Sequence, residues 1–581
     1  MEISNQQLAK IFRNVAAAYT LKKIGNIFQI RAYENAADAI EHSTAEVQDL
    51  WQEGKLSEIP TLGEKLQDYL DELFTKGKVK HFEQVEKGIP AVVFDLLDIG
   101  GVGPKNAAKL AELGVKDLED LKKKIKSGEL VSKGFSAKIA QNIMLGLLDL
   151  DQKDHRMLLP YAFAQADKIL NYLKKSPDIL EVHPLGSLRR MVATVGDLDF
   201  SVSSEKEKEV VEYFCKMPGV SRVVDKGENK ATIVLTSGIQ VDLLVGKPES
   251  YGALLQHFTG SKAHNIKLRT LAQQKGFSLS EYGVKNVTSN KLQETRTEEE
   301  FYKLLGMQTP PPEIREDTDE IEAATAHKLP ELVDFEDIKG DLHIHSNLIS
   351  QPSHDVGANS VEEIVSKAKD LGYSYIGITD HQPSQTGHTI SQTIRLVEKK
   401  KKIIEEINSS QKSVRVLNLL EVDILPDGSL SLSEQALKLL DFAIASVHSS
   451  FNMPEEKMTQ RILKALESPY VKALGHPTGR LIGKRDSYEA DWRKIFEFAA
   501  KNKKALEINA HPNRLDLRDD LVRTALSFDV KFVINTDAHE VSQMDNMRFG
   551  VAGARRGWAT KKDVVNTWDW TDLAKWFRIN L

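Results

Sequence analysis

Cysteine is almost missing from this sequence: Cys215 is the single one among 581 residues. One thiol excludes a disulfide framework and fits a reducing compartment. Long apolar runs are missing as well. No stretch approaches the roughly 18 residues of a membrane-spanning helix, and the opening MEISNQQLAKIF lacks the apolar core of a secretory leader. A soluble, intracellular protein is the expectation. There is no large excess of charge either. A formal net charge of −6 speaks against binding a polyanion in bulk, so any nucleic-acid contact must come from local patches and backbone donors. What remains is ordinary globular composition, 41% hydrophobic and 28% charged. At roughly 150 residues per domain, the length suggests about four domains.

Residues 1–150 read as helices, because apolar positions recur every three or four residues in LAKIFRNVAAAY and LGEKLQDYLDELF. From about Leu180 the pattern changes to short alternating β runs such as DLDFSVS, ATIVLTS and IQVDLLV. Helical patterns return at about Gly252–Gly276. Three prolines and an acidic run between Thr309 and Ala324 read as a linker. Beyond Ile338, strand, loop and helix repeat through YIGITDH, VLNLLEVDIL, FAIASVHSS, VKALGHP, KALEINAHP and KFVINTDAH. Such repeats imply a parallel sheet, closed as a barrel or doubly wound.

The run Ile99-Gly100-Gly101-Val102-Gly103-Pro104-Lys105 is a glycine turn that opens a helix. Glycines there let the backbone reach φ > 0 and aim N–H groups at a phosphate, and Lys105 adds charge. Nothing in this helix–hairpin–helix device reads bases, so it suits sequence-independent DNA binding. Gly63 and Lys65, within Ile59–Lys65, look like a second copy, and Val131–Ile143 like a weaker third with Ser136 at a glycine position. A plain helical hairpin with a glycine cap accounts for the same residues. The run Lys122–Lys126 reads equally as a DNA grip or a solvated helix face.

Gly186-Ser187-Leu188-Arg189-Arg190 is followed by Gly196-Asp197-Leu198-Asp199, and strand alternation sets Asp197 and Asp199 on one face. A second strand carries Asp242 among apolar neighbours. Three converging carboxylates repel one another unless a divalent cation lies between them. Two Mg²⁺ ions roughly 4 Å apart clamp an in-line attack on phosphorus. Asp197 and Asp199 alone also fit edge-of-sheet acids. The combination G-S-x-R-R, G-D-x-D and a later aspartate is specific.

In these motifs the sequence resembles the family X DNA polymerases, the group of DNA polymerase beta. Phe258-Thr259-Gly260-Ser261, His264-Asn265, Leu268, Phe277 and Glu281-Tyr282-Gly283 are similar to that family's nucleotide-binding thumb. The resemblance covers roughly Ile3–Ile314. It implies a small helical domain with the first helix–hairpin–helix (1–90), a helix–hairpin–helix DNA-binding domain (91–150), a nucleotidyltransferase palm (151–246) and a thumb (247–315). It implies two Mg²⁺ ions on Asp197, Asp199 and Asp242, with Asp242 near the primer 3′-hydroxyl as its base. Gly186, Ser187, Arg190 and Gly196 would hold the triphosphate, Phe258 and Gly260 line the sugar, and Asn265 and Arg269 meet the nascent base pair. Two positions depart from the family pattern. His257 stands where a tyrosine precedes the phenylalanine, beside the deoxyribose. Tyr69 stands where the family's 5′-deoxyribose-phosphate lyase has its Schiff-base lysine, and a phenol cannot form that imine. Little lyase activity is expected unless another amine, such as Lys65, substitutes.

The second half is rich in histidine. Asp341-Leu342-His343-Ile344-His345 puts two imidazoles on one strand face, as a metal site requires. His381, Glu421, His448, His476, Asp537 and His539 then follow, each at the end of a strand. A lone histidine at a strand end is more often structural. Six histidines with two carboxylates, all at strand exits, converge on the barrel mouth where active sites sit. Such a site holds two or three divalent cations and activates water for phosphoester hydrolysis.

This half resembles the polymerase-and-histidinol-phosphatase (PHP) domain appended to bacterial family X polymerases, over roughly Ile338–Trp570. The resemblance implies a distorted (β/α)7 barrel (338–581) after a linker (316–337), with two or three Mn²⁺ or Zn²⁺ ions and 3′→5′ exonuclease activity. Related 3′-phosphatase and abasic-endonuclease activities go with that family. Where the family has an aspartate soon after the second histidine, this chain reads NLISQPSHDVGANS, and Asp355 is the chosen ligand with His354 the runner-up. His388 and His511 read as ordinary loop residues.

The expected architecture is therefore multidomain, α+β and then α/β: helix–hairpin–helix domains, palm and thumb, and a PHP barrel. The expected function is a gap-filling, base-excision-repair DNA polymerase with a separate Mn²⁺-dependent 3′→5′ exonuclease. Its partners would be gapped or primed double-stranded DNA and dNTPs, and no membrane. A cytoplasmic, nucleoid-associated monomer is expected. The alternative is a DNA-end-processing nuclease or phosphatase whose polymerase half positions DNA. A small-molecule phosphatase is disfavoured, since it has no use for DNA clamps.

Overall fold

The computed structural model describes residues 3, 5–41, 43, 47–52, 54–59, 62–99, 102–127, 129–133, 135, 139, 143–144, 147, 156–349 and 351–579. The amino-terminal helices Asn5–Lys22 and Ile27–Glu41 bury alternate turns around Phe12, Val15, Tyr33 and Ile40, joined by Leu70 and Phe82 from later helices. Val93, Leu96, Ile99, Leu110 and Leu121 build a second small core around the helix Pro104–Glu112. In the basic helix Leu118–Lys126, Lys122 pairs with Glu119 and Lys124 with Asp120, so these two lysines are engaged along their own helix.

The palm is a five-stranded sheet with a parallel central pair. That pair is Leu198–Ser203 and Gln240–Gly246, registered so that Asp199 lies opposite Asp242. Apolar residues on the other face (Phe200, Val202, Leu243 and Val245) pack against the helix Glu207–Cys215. The thumb packs the helices Tyr251–Thr259 and Lys262–Gln274 over Leu268, Phe301, Tyr302 and Ile321.

The proline-rich segment after the thumb is not a free tether. Ile314, Arg315, Glu320 and Ile321 are buried, and Arg315 donates to Glu298 Oε1 at 2.5 Å. Its acids are matched by distant partners: Glu313 by Arg555, Glu316 by Arg190 and Arg556, and Glu320 by His264. A run that reads as a linker is thus a packed connector.

Seven parallel strands follow in sequence order, from Gly340–Ile344 round to Lys531–Asn535. Ile344 bridges Ala538 and the His345 N–H reaches the Ala538 carbonyl at 2.8 Å, which nearly closes the barrel. Strands buried on both faces read as apolar runs, as parallel strands do. Inside, Leu342, Leu417, Leu419, Phe442, Ile444 and Val533 meet Phe577 of the C-terminal helix Trp570–Phe577. This is the (β/α)7 architecture expected. Palm and barrel share a core, since Leu515 and Phe549 of the barrel pack with palm residues. Among the described residues no helix is long and apolar enough to cross a membrane.

Candidate functional site

In the palm, Asp197 and Asp199 share a face and Asp242 comes across from the neighbouring strand. One oxygen from each lies within 4.8 Å of the others. Thr232 Oγ1 and Gln240 Nε2 both donate to Asp242, the latter at 2.8 Å, which fixes its plane. Burial and the charges of Asp197 and Asp242 push the Asp199 carboxyl up to about 7. Gly186 has φ +56°, and a Cβ there would lie 2.7 Å from Asp199 Oδ2. The Gly-Ser turn therefore abuts the carboxylates directly. On its far side Arg190 donates from Nη1 to the Thr259 carbonyl at 2.5 Å, and Arg189 pairs with Glu298 at 2.5 Å. A Cβ on Gly260 would lie 3.2 Å from Arg190 Nη1, so palm and thumb close on these two arginines. Ser187 sits in the same turn, its carbonyl taken by the Val192 N–H. Gly196 packs beside Arg156, and Phe258 lies half-buried against His257, with ring centroids 4.7 Å apart. Asn265 is oriented by the His257 carbonyl (2.7 Å) and by Gln256 (2.8 Å), while Arg269 is exposed.

In the barrel the ligand candidates converge on Glu421. His476 lies 2.7 Å away, His381 3.0 Å, His448 3.2 Å, His343 3.4 Å and His345 3.8 Å. Burial works to raise the Glu421 carboxyl, but the imidazoles of His448, His381 and His343 hold it well below the usual range. Asp537 lies 3.1 Å from His345 Nε2, and His539 stacks on His345 at 3.9 Å. Burial pushes His345 down to about 4 and His381 well below its ordinary value, which keeps both rings neutral with lone pairs available. Nε2 of His343 and His539 and Nδ1 of His345, His381 and His476 are buried without a hydrogen-bond partner. Five orphaned imidazole nitrogens around carboxylates are donors of the kind that divalent metal ions take, so these residues fit such ions.

Some contributors escaped the sequence argument. Glu507, fully buried, accepts from His343 Nδ1 at 2.7 Å and from the His476 N–H at 2.6 Å, the carboxylate–histidine support typical of metal sites. Its only signal was an acid inside the apolar run KALEIN. Asp423 holds His448 Nδ1 at 2.7 Å and also meets His354 Nε2 at 3.1 Å. His354, Asp423 and His448 form one ligand-distance group. Asp355 is exposed and belongs to no such group, so the histidine, not the aspartate, comes to the cluster. His388 and His511 are tied to their own loops by Ser384 and Asn513.

Of the glycines named for the helix–hairpin–helix turns, the two that are described do not have positive φ. Gly63 has φ −61° and Gly103 φ −82°, each capping a helix. A Cβ on either would meet nothing within 4 Å, so no protein neighbour requires glycine there. Lys65 and Lys105 are exposed beside them. Gly101 and Ser136 lie outside the described residues.

Tyr69 stacks on His81 with centroids 5.2 Å apart and planes 4° apart, and His81 Nε2 meets Tyr19 OH at 2.8 Å. An aromatic stack thus occupies the lysine's place. Borohydride is expected to trap little of this protein on incised abasic DNA, and Tyr69→Lys to raise trapping. Efficient trapping of the wild type would overturn this.

Four segments of the chain match known families. Residues 3–79 match the helix–hairpin–helix family, 93–149 a SAM-like helix–hairpin–helix tandem, 254–316 the DNA polymerase beta thumb and 341–511 the PHP domain. The chain is 36% identical over 569 residues to the DNA polymerase/3′-5′ exonuclease PolX of Bacillus subtilis, covering 97% of this chain and 98% of that protein. Over 155 residues the chain is 34% identical to a probable phosphatase of Caldicellulosiruptor saccharolyticus, covering 26% of this chain and 59% of that protein. It is also 27% identical over 200 residues to one of Acetivibrio thermocellus, covering 32% of this chain and 78% of that protein.

Proposed function

Because the chain belongs to the PolX family of DNA polymerase/3′-5′ exonucleases, we propose that it fills short gaps in DNA during base-excision repair and trims 3′ ends at a second, separate site. The observation that carries this is the presence of two ligand clusters on two different sheets, Asp197–Asp199–Asp242 in the palm and the histidine set in the barrel. When bound, two Mg²⁺ ions in the palm and Mn²⁺ or Zn²⁺ in the barrel supply charge neutralisation at phosphorus and an activated nucleophile.

The chain's own residues divide the remaining work. Asp242, oriented by Thr232 and Gln240, accepts the proton of the primer 3′-hydroxyl. Ser187 and Arg190 hold the triphosphate, Phe258 and Gly260 line the sugar, and Asn265 and Arg269 meet the base pair. In the barrel, His343, His345, His381, Glu421, His448, His476, Asp537 and His539 hold the ions. His354, which groups with Asp423 and His448, joins them in place of Asp355. Glu507 and Asp423 keep His343 and His448 in the ligating tautomer. Gly63 and Gly103 offer unobstructed backbone to duplex phosphates, with Lys65 and Lys105 adjacent. The PHP match over residues 341–511, with the partial likeness of the chain to probable phosphatases, supports a second use of the barrel site, removal of 3′-phosphates. A cytoplasmic monomer acting on gapped or primed duplex fits this role.

The test is a 5′-labelled primer on a one-nucleotide gap with Mn²⁺. Extension with dNTPs and shortening without them are expected. Shortening alone would reduce the polymerase half to a DNA holder.

A further inference from the structure

We infer that Arg556, a barrel residue, positions Arg190 for the triphosphate of the incoming nucleotide, so that the barrel domain completes the polymerase's nucleotide site. The inference rests on the proposed role of Arg190 as a triphosphate ligand.

The helix Met547–Arg556 begins shortly after the ligand candidates Asp537 and His539 and ends in the pair Arg555-Arg556. Arg556 is largely buried between palm, connector and barrel. Its Nε and Nη2 are anchored on Asp519 at 2.7 and 2.6 Å. Its Nη1 faces the other way, donating to the carbonyl oxygen of Arg190 at 2.8 Å and to Glu316 Oε1 at 3.0 Å. Arg190 donates from Nε to that same Glu316 oxygen at 3.0 Å and from Nη1 to the Thr259 carbonyl at 2.5 Å. Both the backbone and the guanidinium of Arg190 therefore depend on Arg556, one directly and the other through a shared carboxylate. The Nη2 of Arg190 makes no hydrogen bond among the described residues and remains for an anion.

Charge points the same way as geometry. Glu316 is divided between two guanidiniums, so Arg190 keeps positive charge to offer a phosphate. Without Arg556, Glu316 closes on Arg190 alone, Asp519 loses its partner, and the local charge falls by one unit beside the place where a polyanionic tail must bind. A simple bolt between domains would not require the bolt to share the carboxylate that holds the phosphate ligand.

The experiment is steady-state gap filling by the full-length protein. Arg556→Ala is expected to raise the KM for dNTP about tenfold, the scale of a lost charge-assisted contact, with kcat little altered. Its exonuclease rate and barrel metal content should match the wild type, which also shows that the variant is folded. Arg556→Lys, which keeps the charge and loses the fork, should fall between the two, and it serves in place of the alanine variant should that one fail to fold. Arg190→Ala combined with Arg556→Ala should raise KM no further than Arg190→Ala alone, because one residue acts through the other. An unchanged KM in Arg556→Ala, or additive effects in the double variant, overturns the inference. If Arg190→Ala itself leaves KM unaltered, the role of Arg190 fails and this inference with it.

Discussion

Asp242→Ala is expected to cut nucleotide addition by about a thousandfold or more, about 4 kcal/mol of transition-state stabilisation, while 3′ shortening continues at the wild-type rate. The expectation follows from register. Asp242 lies directly across the parallel pair from Asp199, on the strand face that also carries Asp197. Neutral substitution leaves two carboxylates that cannot chelate both ions. Asp242→Asn sharpens the test, because its amide oxygen can still accept from Thr232 or Gln240 while the charge is gone. Equal loss in both variants identifies charge, not shape, as the missing element. Asp197→Ala should behave in the same way. Loss of both activities in any of these variants would refute two independent sites.

The parts of this molecule that were legible in the sequence are those whose chemistry is local. Asp197 and Asp199 sit two residues apart, and strand alternation alone puts them on one face; the pairing with Asp242 then needed only a second strand of the right length. The barrel histidines were legible for a similar reason, since they stand at the ends of apolar strands, His343 and His345 on the same one, and all strands of a parallel barrel point the same way. What stayed hidden depends on partners far along the chain. Glu507 is one acid in an apolar run until His343, 164 residues earlier, is seen to donate to it. Asp423, two residues after Glu421, holds His448 and His354, which come from other segments of the chain. The segment after the thumb reads as a linker because the partners of its acids, Arg555 and Arg556, lie more than 200 positions away. At Gly63 and Gly103, the clamp glycines that are described, the backbone is ordinary and glycine leaves room outside the chain.

His343→Ala is expected to do the reverse of Asp242→Ala: 3′ shortening falls about a thousandfold and gap filling persists. His343 is fully buried, lies 3.4 Å from Glu421 and 3.6 Å from Asp537, and has an orphaned Nε2 aimed between them. Its other nitrogen is committed to Glu507, and that bond makes a graded experiment possible. Glu507→Gln keeps the shape and an acceptor but removes the charge that steadies the ring, and losses of such outer carboxylates run to about 10–100-fold. The series wild type, Glu507→Gln, His343→Ala should therefore descend in exonuclease rate and, by elemental analysis, in bound Mn²⁺. Because Glu507 also accepts the His476 N–H and amide protons of Asn509 and Asn535, its variant reports on the whole floor of the site. If Glu507→Gln lost metal without losing shortening, the cluster would be structural and the nuclease would have to be sought elsewhere on the chain. If it lost both in proportion, the barrel histidines and the buried glutamate beneath them would be one catalytic unit.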